Sequence, residues 1–469
     1  MKDYTLFDAS SLDTLSRCKE TRIGADICTE FPMAFTRRKF IASAAAGIGF
    51  PTIIPSSALG KDGRPSPSNR LTMGYIGMGN RGIGVMGAFL NHDDVQGVAI
   101  SDVHDLHYRD RDWGEGRALG RKPGKAAVDK KYENEDCKTY NEFEALLDRG
   151  DLDAVMVATP DHWHYHITMA ALQRGLAVYC EKPVTHLFGE GQQVYREVAK
   201  HDSVFQVGSQ QRSEPVFRQA VEIVRNGHLG KVSGFEVGLP VGHDEAQGTT
   251  SLDEVPEGLD YNRWCGPSEK LPYMRARNHR SWRWHTAYGG GNLMDWIGHH
   301  NDIAHWGMGY ERSGPVELEA KGWNWSGEPA YDTPTDYEVH SKYPDGKMGV
   351  ISTKHRNGVK WIGENGWVWV DRGKIEASNP EWLKEEFQAG DWKAYRSPGH
   401  QRNFIDCAKA GNNDTAAPAE NGHRSITPGH LGWVSARVGR KLKWDPVAET
   451  IIGDEEAAKQ LMALHYREW

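Results

Sequence analysis

The chain has 469 residues, of which 38% are hydrophobic and 26% charged, and its formal net charge is −8. This length is enough for a large core and about two domains. It has no long basic or acidic run, so nucleic acid and anionic membrane surfaces are not expected partners, and we expect a small-molecule ligand. The six cysteines include no C-x-x-C pair, so neither a zinc knuckle nor a thioredoxin-like motif is indicated, and any disulfide pairing is left open.

The stretch FTRRKFIASAAAGIGFPTIIPSSALG near the start places Arg37 and Arg38 before a short apolar run that is followed by small residues. This pattern resembles a twin-arginine export signal and predicts a periplasmic protein. A membrane anchor is the alternative, but Gly and Pro interrupt the run, and it is shorter than the roughly 20 residues that span a bilayer. Since such signals begin near the N-terminus, Met33 is an alternative start to Met1.

The next recognisable feature, LTMGYIGMGNRGIG, predicts a buried strand, a glycine-rich loop and a helix. Gly77 permits a tight turn, Gly79 lets the backbone approach a pyrophosphate, and Gly82 lets the helix pack on the strand. The free N–H groups at the start of the helix would then face the phosphates. The G-x-G-x-x-G spacing alone is weak evidence for a dinucleotide site.

A second strand, VQGVAISDV, strengthens that interpretation because it leads to Asp102, twenty residues after Gly82. A carboxylate at this position binds the ribose diol of the cofactor. Its charge would repel a 2′-phosphate, so NAD is preferred. Arg81 could partly offset the repulsion, and NADP therefore stays open.

Helices and strands then alternate, with NEFEALLDRG and HWHYHITMAALQRG predicted as helices and DAVMVATP and LAVYCEKP as strands. This order predicts a parallel doubly wound sheet, whose ligands bind at the carboxyl ends of its strands. Later period-two runs, KVSGFEVGL, VELEAKGW, DYEVHSKY, KMGVIST and GWVWVDRG, indicate a mainly antiparallel sheet that could form a substrate wall and a subunit interface.

The expected fold class is therefore α/β, with a Rossmann dinucleotide-binding domain followed by an α/β domain with a large, mainly antiparallel open sheet. We expect an N-terminal extension and signal over 1–60, a linker over 61–69, the Rossmann domain over 70–202, and a substrate and oligomerisation domain over 203–469.

Four motifs follow one another along the chain, in the order glycine loop, TPDHWH, EKP and GGGNLMDWIGHHNDIAHW. In these motifs the chain resembles the Gfo/Idh/MocA oxidoreductases, the family of glucose-fructose oxidoreductase and inositol dehydrogenase. The likeness runs from about Leu71 to the end of the chain, and GRKLKWDP is similar to the tails of exported members. The resemblance implies hydride transfer between a nicotinamide cofactor and a hydroxyl carbon of a sugar, cyclitol or glycoside. One departure is Asp161, where many members have Asn.

By that resemblance Lys182 is the catalytic lysine, Asp295 and His299 supply the D-x-x-x-H pair, and Pro160 and His164 flank the nicotinamide. The residue types also suit the reaction, because oxidising an alcohol requires a base for the hydroxyl proton. Asp295 and His299 are four residues apart and share one helix face. His299 could relay a proton while Asp295 orients the hydroxyl or the imidazole.

The complete set of expected cofactor contacts is Gly77, Met78, Gly79, Asn80, Arg81, Gly82, Asp102, Thr159, Pro160, His164, Glu181 and Lys182. Expected substrate contacts are Trp282, Arg283, Trp284 and His300, since flat aromatic faces suit the C–H faces of sugars. The polar cluster of His162, His164, His166, His300, Asp302 and His305 is interpreted as a hydrogen-bonding lining for a polyol, and no metal is expected.

Two other activities stay open at this point. A hydrolase, lyase or epimerase could borrow a hydride and return it, and a non-catalytic sugar- or nucleotide-binding protein could share the fold. For an exported oxidoreductase we expect tightly bound NAD, because the cofactor cannot be collected from a dilute medium at each cycle.

Overall fold

A computed structural model describes residues 65–110 and 115–469 of the chain. The expected signal with Arg37 and Arg38, the extension over 1–60 and the first part of the linker lie outside the described residues. Within the described part, no helix is both long and apolar enough to cross a membrane.

The N-terminal part contains a parallel sheet with the strand order β5-β2-β1-β6-β7-β8. Its strands, together with the separate pair β3–β4, are β1 Leu71–Ile76, β2 Val95–Ser101, β3 His107–Tyr108, β4 Ala118–Leu119, β5 Lys138–Tyr140, β6 Ala154–Val157, β7 Ala177–Cys180 and β8 Phe205–Val207. The helices of this part are α1 Asn80–Leu90, α2 Arg121–Tyr132, α3 Phe143–Leu147, α4 Asp161–Gln173 and α5 Phe188–His201.

Strand β1 is buried along its whole length, as expected of a strand that is covered on both faces of a parallel sheet. It pairs in parallel with β2 on one side and with β6 on the other. The carboxyl ends of β1, β2, β6 and β7 therefore meet at one edge of the sheet. This arrangement confirms the predicted Rossmann fold.

The C-terminal part contains a sheet with the strand order β15-β14-β13-β9-β12-β11-β10-β16-β17. Its strands are β9 Val232–Gly238, β10 Glu317–Trp325, β11 Pro334–Lys342, β12 Met348–Ser352, β13 Gly358–Gly363, β14 Gly366–Asp371, β15 Lys374–Ala377, β16 Leu442–Asp445 and β17 Thr450–Ile451. Its α-helices are α6 Pro215–Arg225, α7 Tyr261–Cys265, α8 Gly291–Met308, α9 His400–Ala410, α10 Ala419–Val438 and α11 Glu455–Leu461.

All five period-two runs form strands of this second sheet, and of the pairings between its neighbouring strands only β9–β12 is parallel. The prediction of a mainly antiparallel sheet is thus confirmed. Helix α8 carries the D-x-x-x-H pair, and the apolar side chains of Leu293, Ile297 and Ile303 anchor it in the core. This burial fixes the position of the polar residues on the same helix.

The two parts of the chain are interleaved rather than divided at one residue. The parallel sheet continues past the expected boundary at 202 to β8, and helix α9 returns from the C-terminal part to the Rossmann sheet. There Arg402 and Lys409 pair with Asp94 at 2.7 and 2.8 Å, and Phe404 packs edge-on against Phe89. One hydrophobic core extends through both parts.

Candidate active site

A cleft of about 970 Å³ extends from the glycine loop to helix α8. Most of the predicted site residues line it, namely Gly77, Gly79, Asn80, Arg81, Asp102, Thr159, Pro160, Glu181, Lys182, Trp282, Arg283, Trp284, Asp295 and His299. Met78, Gly82, His164 and His300 do not line it. The cleft therefore joins the predicted dinucleotide loop to the predicted catalytic residues.

The glycine loop is shaped to admit a phosphate group. Gly77 has a φ of +87°, and an added Cβ there would lie 2.7 Å from the backbone of Ala158. A Cβ on Gly82 would meet the Gly77 carbonyl, so helix α1 packs directly on the loop. A Cβ on Gly79, in contrast, would meet no atom within 4 Å, which leaves the space beside the N-terminus of α1 open. The loop thus fits a dinucleotide pyrophosphate.

Asp102 fixes the loop and faces the cleft. Its carboxylate accepts hydrogen bonds from the backbone N–H groups of Met78 at 2.6 Å and His104 at 2.8 Å. Met78 itself is buried beneath the loop, so its N–H is committed to Asp102 rather than to a phosphate. Each carboxylate oxygen retains a lone pair that can accept a ribose hydroxyl.

Arg81 is held by Glu181 rather than pointing free at the ribose. The two side chains form an ion pair at 3.1 Å, in which Glu181 is almost fully buried. Burial raises the pKa of Glu181, but Arg81 outweighs this effect and holds the pKa below its usual range. Arg81 is therefore engaged at the E-K-P motif.

Lys182 and Asp295 form the centre of the site. The Lys182 ammonium donates to Asp295 Oδ1 at 2.7 Å and to the Asp295 backbone carbonyl at 2.8 Å. The Nε of Arg283 donates to the same Oδ1 at 2.9 Å. Burial raises the pKa of Asp295, but these two cations outweigh it and hold that pKa well below its usual range. Asp295 thus orients Lys182 and Arg283; of the two expected roles, orienting the substrate hydroxyl or the imidazole, the described contacts include none to the His299 ring.

His299 lies one helical turn after Asp295 and also lines the cleft. It is 8% exposed, and within the described residues its Nδ1 has no hydrogen-bond partner. Burial, together with the charges of Lys182 and Arg372, holds its pKa well below the usual range. His299 is therefore a neutral imidazole that can form a hydrogen bond with a bound hydroxyl group.

Asp161, the departure from the family pattern, is 3% exposed at the start of helix α4. Burial raises its pKa to about 8, although the Arg283 charge acts in the opposite direction. At neutral pH the side chain is thus a neutral acid that has the shape of an asparagine amide.

The polar cluster expected to line a polyol pocket lies outside the cleft, so this interpretation is corrected. Its members are His162, His164, His166, His300, Asp302 and His305. Both ring nitrogens of His164 lie beside backbone carbonyl oxygens, at 2.7 Å from Pro183 and 3.0 Å from Thr159. His164 thus connects the two cleft-lining loops from the side that faces away from the cleft.

His300 does not contact the substrate space, contrary to expectation. It is fully buried, and its Nε2 lies 3.7 Å from Asp371. Asp302, on the same helix, forms a buried ion pair with Arg212 at 2.6 Å. Successive residues of a helix point about 100° apart, so the residue after His299 faces the protein interior instead of the cleft.

Sequence reasoning missed a further basic residue, Arg372, in the turn between β14 and β15. Its guanidinium lies 4.8 Å over the ring of Trp296, and both side chains line the cleft. The sequence places Arg372 only at the end of the GWVWVDRG run. Its approach to Trp296, which is distant in the chain, depends on the sheet topology and could not be predicted.

Three histidines also line the cleft near Asp102. His104, His107 and His279 offer ring nitrogens within 4.8 Å of one another, a spacing that a metal ion could bridge. Their rings, however, are stacked with interplanar angles of 14–18° and centroid distances of 3.8–5.4 Å. Ligand lone pairs lie in the ring planes, and stacked parallel planes do not meet at one point. This arrangement favours a flat stacking surface over a metal centre.

The fold and the cleft together define a dinucleotide-binding protein with a Rossmann domain. Residues 71–209 match the sequence model for the oxidoreductase family, NAD-binding Rossmann fold, and residues 221–469 match the model for the oxidoreductase family, C-terminal alpha/beta domain. The chain belongs to the Gfo/Idh/MocA oxidoreductase family, as the motifs indicated.

The individual relatives match this chain over only part of their length. A glycosyl hydrolase family 109 protein of Stenotrophomonas maltophilia is 32% identical over 150 residues, which is 32% of this chain and 30% of that protein. Inositol 2-dehydrogenase 4 of Saccharopolyspora erythraea is 30% identical over 155 residues, 31% of this chain and 44% of that protein. Each alignment spans less than half of the relative's length.

Solved structures share the fold over a greater length. The aldose-aldose oxidoreductase from Caulobacter crescentus, complexed with glycerol, has a TM-score of 0.56 and 18% identity, and the match covers 80% of this chain and 99% of that chain. GenD2 from gentamicin A biosynthesis, in complex with NAD, gives a TM-score of 0.55 at 18% identity over 81% of this chain and 98% of that chain.

Proposed function

We propose that the protein is an NAD-dependent oxidoreductase that transfers a hydride between the nicotinamide and a hydroxyl-bearing carbon of a sugar, cyclitol or glycoside. The observation that carries this proposal is the Lys182–Asp295 pair, which lies in the same cleft as the open glycine loop. A base beside a nicotinamide site is what alcohol oxidation requires.

When bound, the nicotinamide ring supplies the hydride acceptor or donor. Lys182 exchanges a proton with the reacting oxygen, as an ammonium that donates to a carbonyl or as an amine that accepts from a hydroxyl. Asp295 holds Lys182 in position and balances its charge, while Arg283 fixes the other side of the same carboxylate. The neutral His299 accepts or donates a hydrogen bond to a neighbouring hydroxyl of the substrate.

The Lys182→Ala substitution tests this assignment. We expect native folding and nearly native NAD affinity, with turnover lowered by about a hundredfold or more, the range for loss of a general acid or base. Lys360→Ala is the matched control, because Lys360 also lies near a carboxylate, that of Glu236 at 3.9 Å, but is outside the cleft. Unchanged turnover in Lys182→Ala would exclude Lys182 from the mechanism.

The same cleft favours NAD over NADP. In this proposal the Asp102 carboxylate binds the ribose hydroxyls and would repel a 2′-phosphate, and the pairing of Arg81 with Glu181 supports the same preference. We infer from these contacts that NAD is the physiological cofactor. Affinity titrations with both dinucleotides test this, and tighter binding of NADP would contradict it.

We further infer that the protein is exported with NAD already bound. The twin-arginine pattern and the dinucleotide cleft support this together, because that route carries folded proteins and bound cofactor stabilises the folded state. Protein from the exported fraction should release about one dinucleotide per chain when it is denatured after extensive dialysis. Substoichiometric release, with turnover that needs added NAD, would contradict tight binding.

A homo-oligomer that forms through the large open sheet is also proposed. Buried and partly exposed side chains alternate along much of β11, which is typical of a sheet with one open face, and this supports the proposal. Sedimentation velocity tests the proposal, and a monomer at all concentrations would overturn it.

A further inference from the structure

Three arginines in the cleft stack on tryptophan rings. The pairs, with the distance from the guanidinium carbon to the ring centre, are Arg283–Trp282 at 4.3 Å, Arg372–Trp296 at 4.8 Å and Arg280–Trp284 at 5.3 Å. All six residues line the cleft. Stacking holds a guanidinium flat against the ring and leaves its N–H edge able to bind an acceptor.

Arg372 differs from Arg283 in how its charge is balanced. Arg283 donates to Asp295 at 2.9 Å, whereas within residues 65–110 and 115–469 no carboxylate oxygen lies within 4.0 Å of the Arg372 guanidinium. The carboxylate of the adjacent Asp371 accepts instead from the Arg372 backbone N–H at 2.7 Å and from Asn357 at 3.0 Å. Among the described residues, the Arg372 guanidinium therefore enters the cleft without a direct ion-pair partner.

Glu214 is the other carboxyl group of the cleft that senses Arg372. It lies beyond ion-pair distance, and burial raises its pKa, with Arg372 acting in the opposite direction. Glu214 therefore does not neutralise the guanidinium through a direct ion pair, so an anionic ligand can still pair with Arg372.

Arg372 is also positioned close to the reacting groups. The ring of Trp296, on which it stacks, lies 5.8 Å from the ring of His299. With its amide oriented to satisfy both neighbours, Gln211 donates to the His299 carbonyl at 2.9 Å and accepts from Arg372 Nε at 3.2 Å. This link connects Arg372 to the helix that carries Asp295 and His299.

We propose that the substrate is a sugar acid whose carboxylate is bound by Arg372. A planar guanidinium fork matches a planar carboxylate, and one guanidinium balances the whole charge of a monoanion but only half that of a dianionic phosphate ester. The inference rests on the proposed hydride transfer, since it adds a specificity contact to the same site. The proposed function defines the substrate only as a sugar, cyclitol or glycoside, and this inference narrows it to a sugar acid.

The test compares binding of four probes, namely glucuronic acid, glucose, a glucose sulfate ester and a glucose phosphate ester, to the NAD-loaded protein by tryptophan fluorescence. The variants are Arg372→Gln and Arg372→Lys. Arg356→Gln is the matched control, because Arg356 also stacks on a tryptophan, Trp369, but is paired with Glu376 outside the cleft. Scanning calorimetry checks that each variant is folded.

The native protein should bind glucuronic acid about tenfold to a hundredfold more tightly than glucose, as expected for a charge-assisted hydrogen-bond pair. Arg372→Gln should abolish this preference, Arg372→Lys should retain part of it, and Arg356→Gln should be native. Equal affinity for the acid and the neutral sugar, or a preference that survives in Arg372→Gln, would overturn the proposal. Tighter binding of either ester than of glucuronic acid would overturn the assignment of a carboxylate.

Reduction of the bound nicotinamide is recorded in the same samples and separates this inference from the proposed function. If binding of the acid depends on Arg372 but no probe reduces the nicotinamide, the anion site is supported and the proposed hydride transfer is not. If the neutral sugar reduces the nicotinamide as readily as the acid does, the hydride transfer is supported and the anion site is overturned.

Discussion

Replacing Asp161 with asparagine should stabilise the protein at alkaline pH and change little at acidic pH. Asp161 is 3% exposed, and burial, opposed by the Arg283 charge, raises its pKa to about 8. In the unfolded chain an aspartate ionises at a pKa of about 4. Between about pH 4 and pH 8 the unfolded chain therefore loses a proton that the folded protein keeps, so stability falls as pH rises.

The size of this effect follows from the two pKa values. A pKa difference of about 4 corresponds to at most about 6 kcal/mol above about pH 8, and to about 4 kcal/mol at pH 7. With an unfolding entropy of about 2 cal/mol/K per residue, 1 kcal/mol corresponds to about 1 °C of Tm in a chain of this length. Asparagine keeps the shape and has no ionisable proton, so the Tm of Asp161→Asn should exceed the native value by several degrees at alkaline pH.

Scanning calorimetry of the cofactor-free protein from about pH 5 to about pH 9 measures this difference. Asp93→Asn is the matched control for the same substitution at an exposed site, because the side chain of Asp93 is 61% exposed. A Tm difference for Asp161→Asn that is the same at every pH, or a loss of stability at alkaline pH, would refute the conclusion that Asp161 is neutral in the folded protein.

Other substitutions test the loop and the ion pair. Gly79→Ala should keep a native Tm but bind the dinucleotide about tenfold more weakly, or worse, through a lost charge-assisted hydrogen bond. Gly77→Ala should lower the Tm, because φ is +87° there and the added Cβ lies 2.7 Å from backbone, and equal Tm values for the two variants would contradict this. Asp102→Ala should weaken NAD far more than NADP, since it removes a ribose ligand and a repulsive charge together, and calorimetric titration showing equal weakening would argue against the ribose role. Asp295→Ala should lower the free energy of unfolding by about 3–5 kcal/mol, because it leaves the largely buried Lys182 and Arg283 without their shared carboxylate. An unchanged denaturant midpoint would show that Asp295 does not stabilise these two cations.

The parts of the site that lie at strand ends could be predicted from the sequence. The loop at Gly77 and the E-K-P motif at Lys182 each follow a buried strand, and parallel strands bring their carboxyl ends to one edge of the sheet. The i,i+4 spacing of Asp295 and His299 likewise places both on one helix face. In each case a local pattern determines the position of the side chain.

The contacts between distant segments could not be predicted. Arg372 reaches the cleft only because β14 lies near the edge of the second sheet, an order that no local pattern encodes. The ion pair between Asp295 and Lys182 could not be predicted either. The sequence pattern shows which residues share a helix face, but not how the helix is rotated relative to the Rossmann sheet. The prediction that His300 contacts the substrate was wrong for the same reason. The helix is rotated so that the neighbouring His299 faces the cleft.

Direct transfer of a labelled hydride tests the central claim most directly. A sugar substrate carrying deuterium at the carbon that is oxidised is mixed with the NAD-loaded protein, the reaction is quenched within one turnover, and the released dinucleotide is analysed by mass spectrometry. Transfer at the proposed site predicts deuterium on the nicotinamide ring in the native protein and its near absence in Lys182→Ala. Turnover of the labelled substrate without deuterium in the dinucleotide would contradict the account.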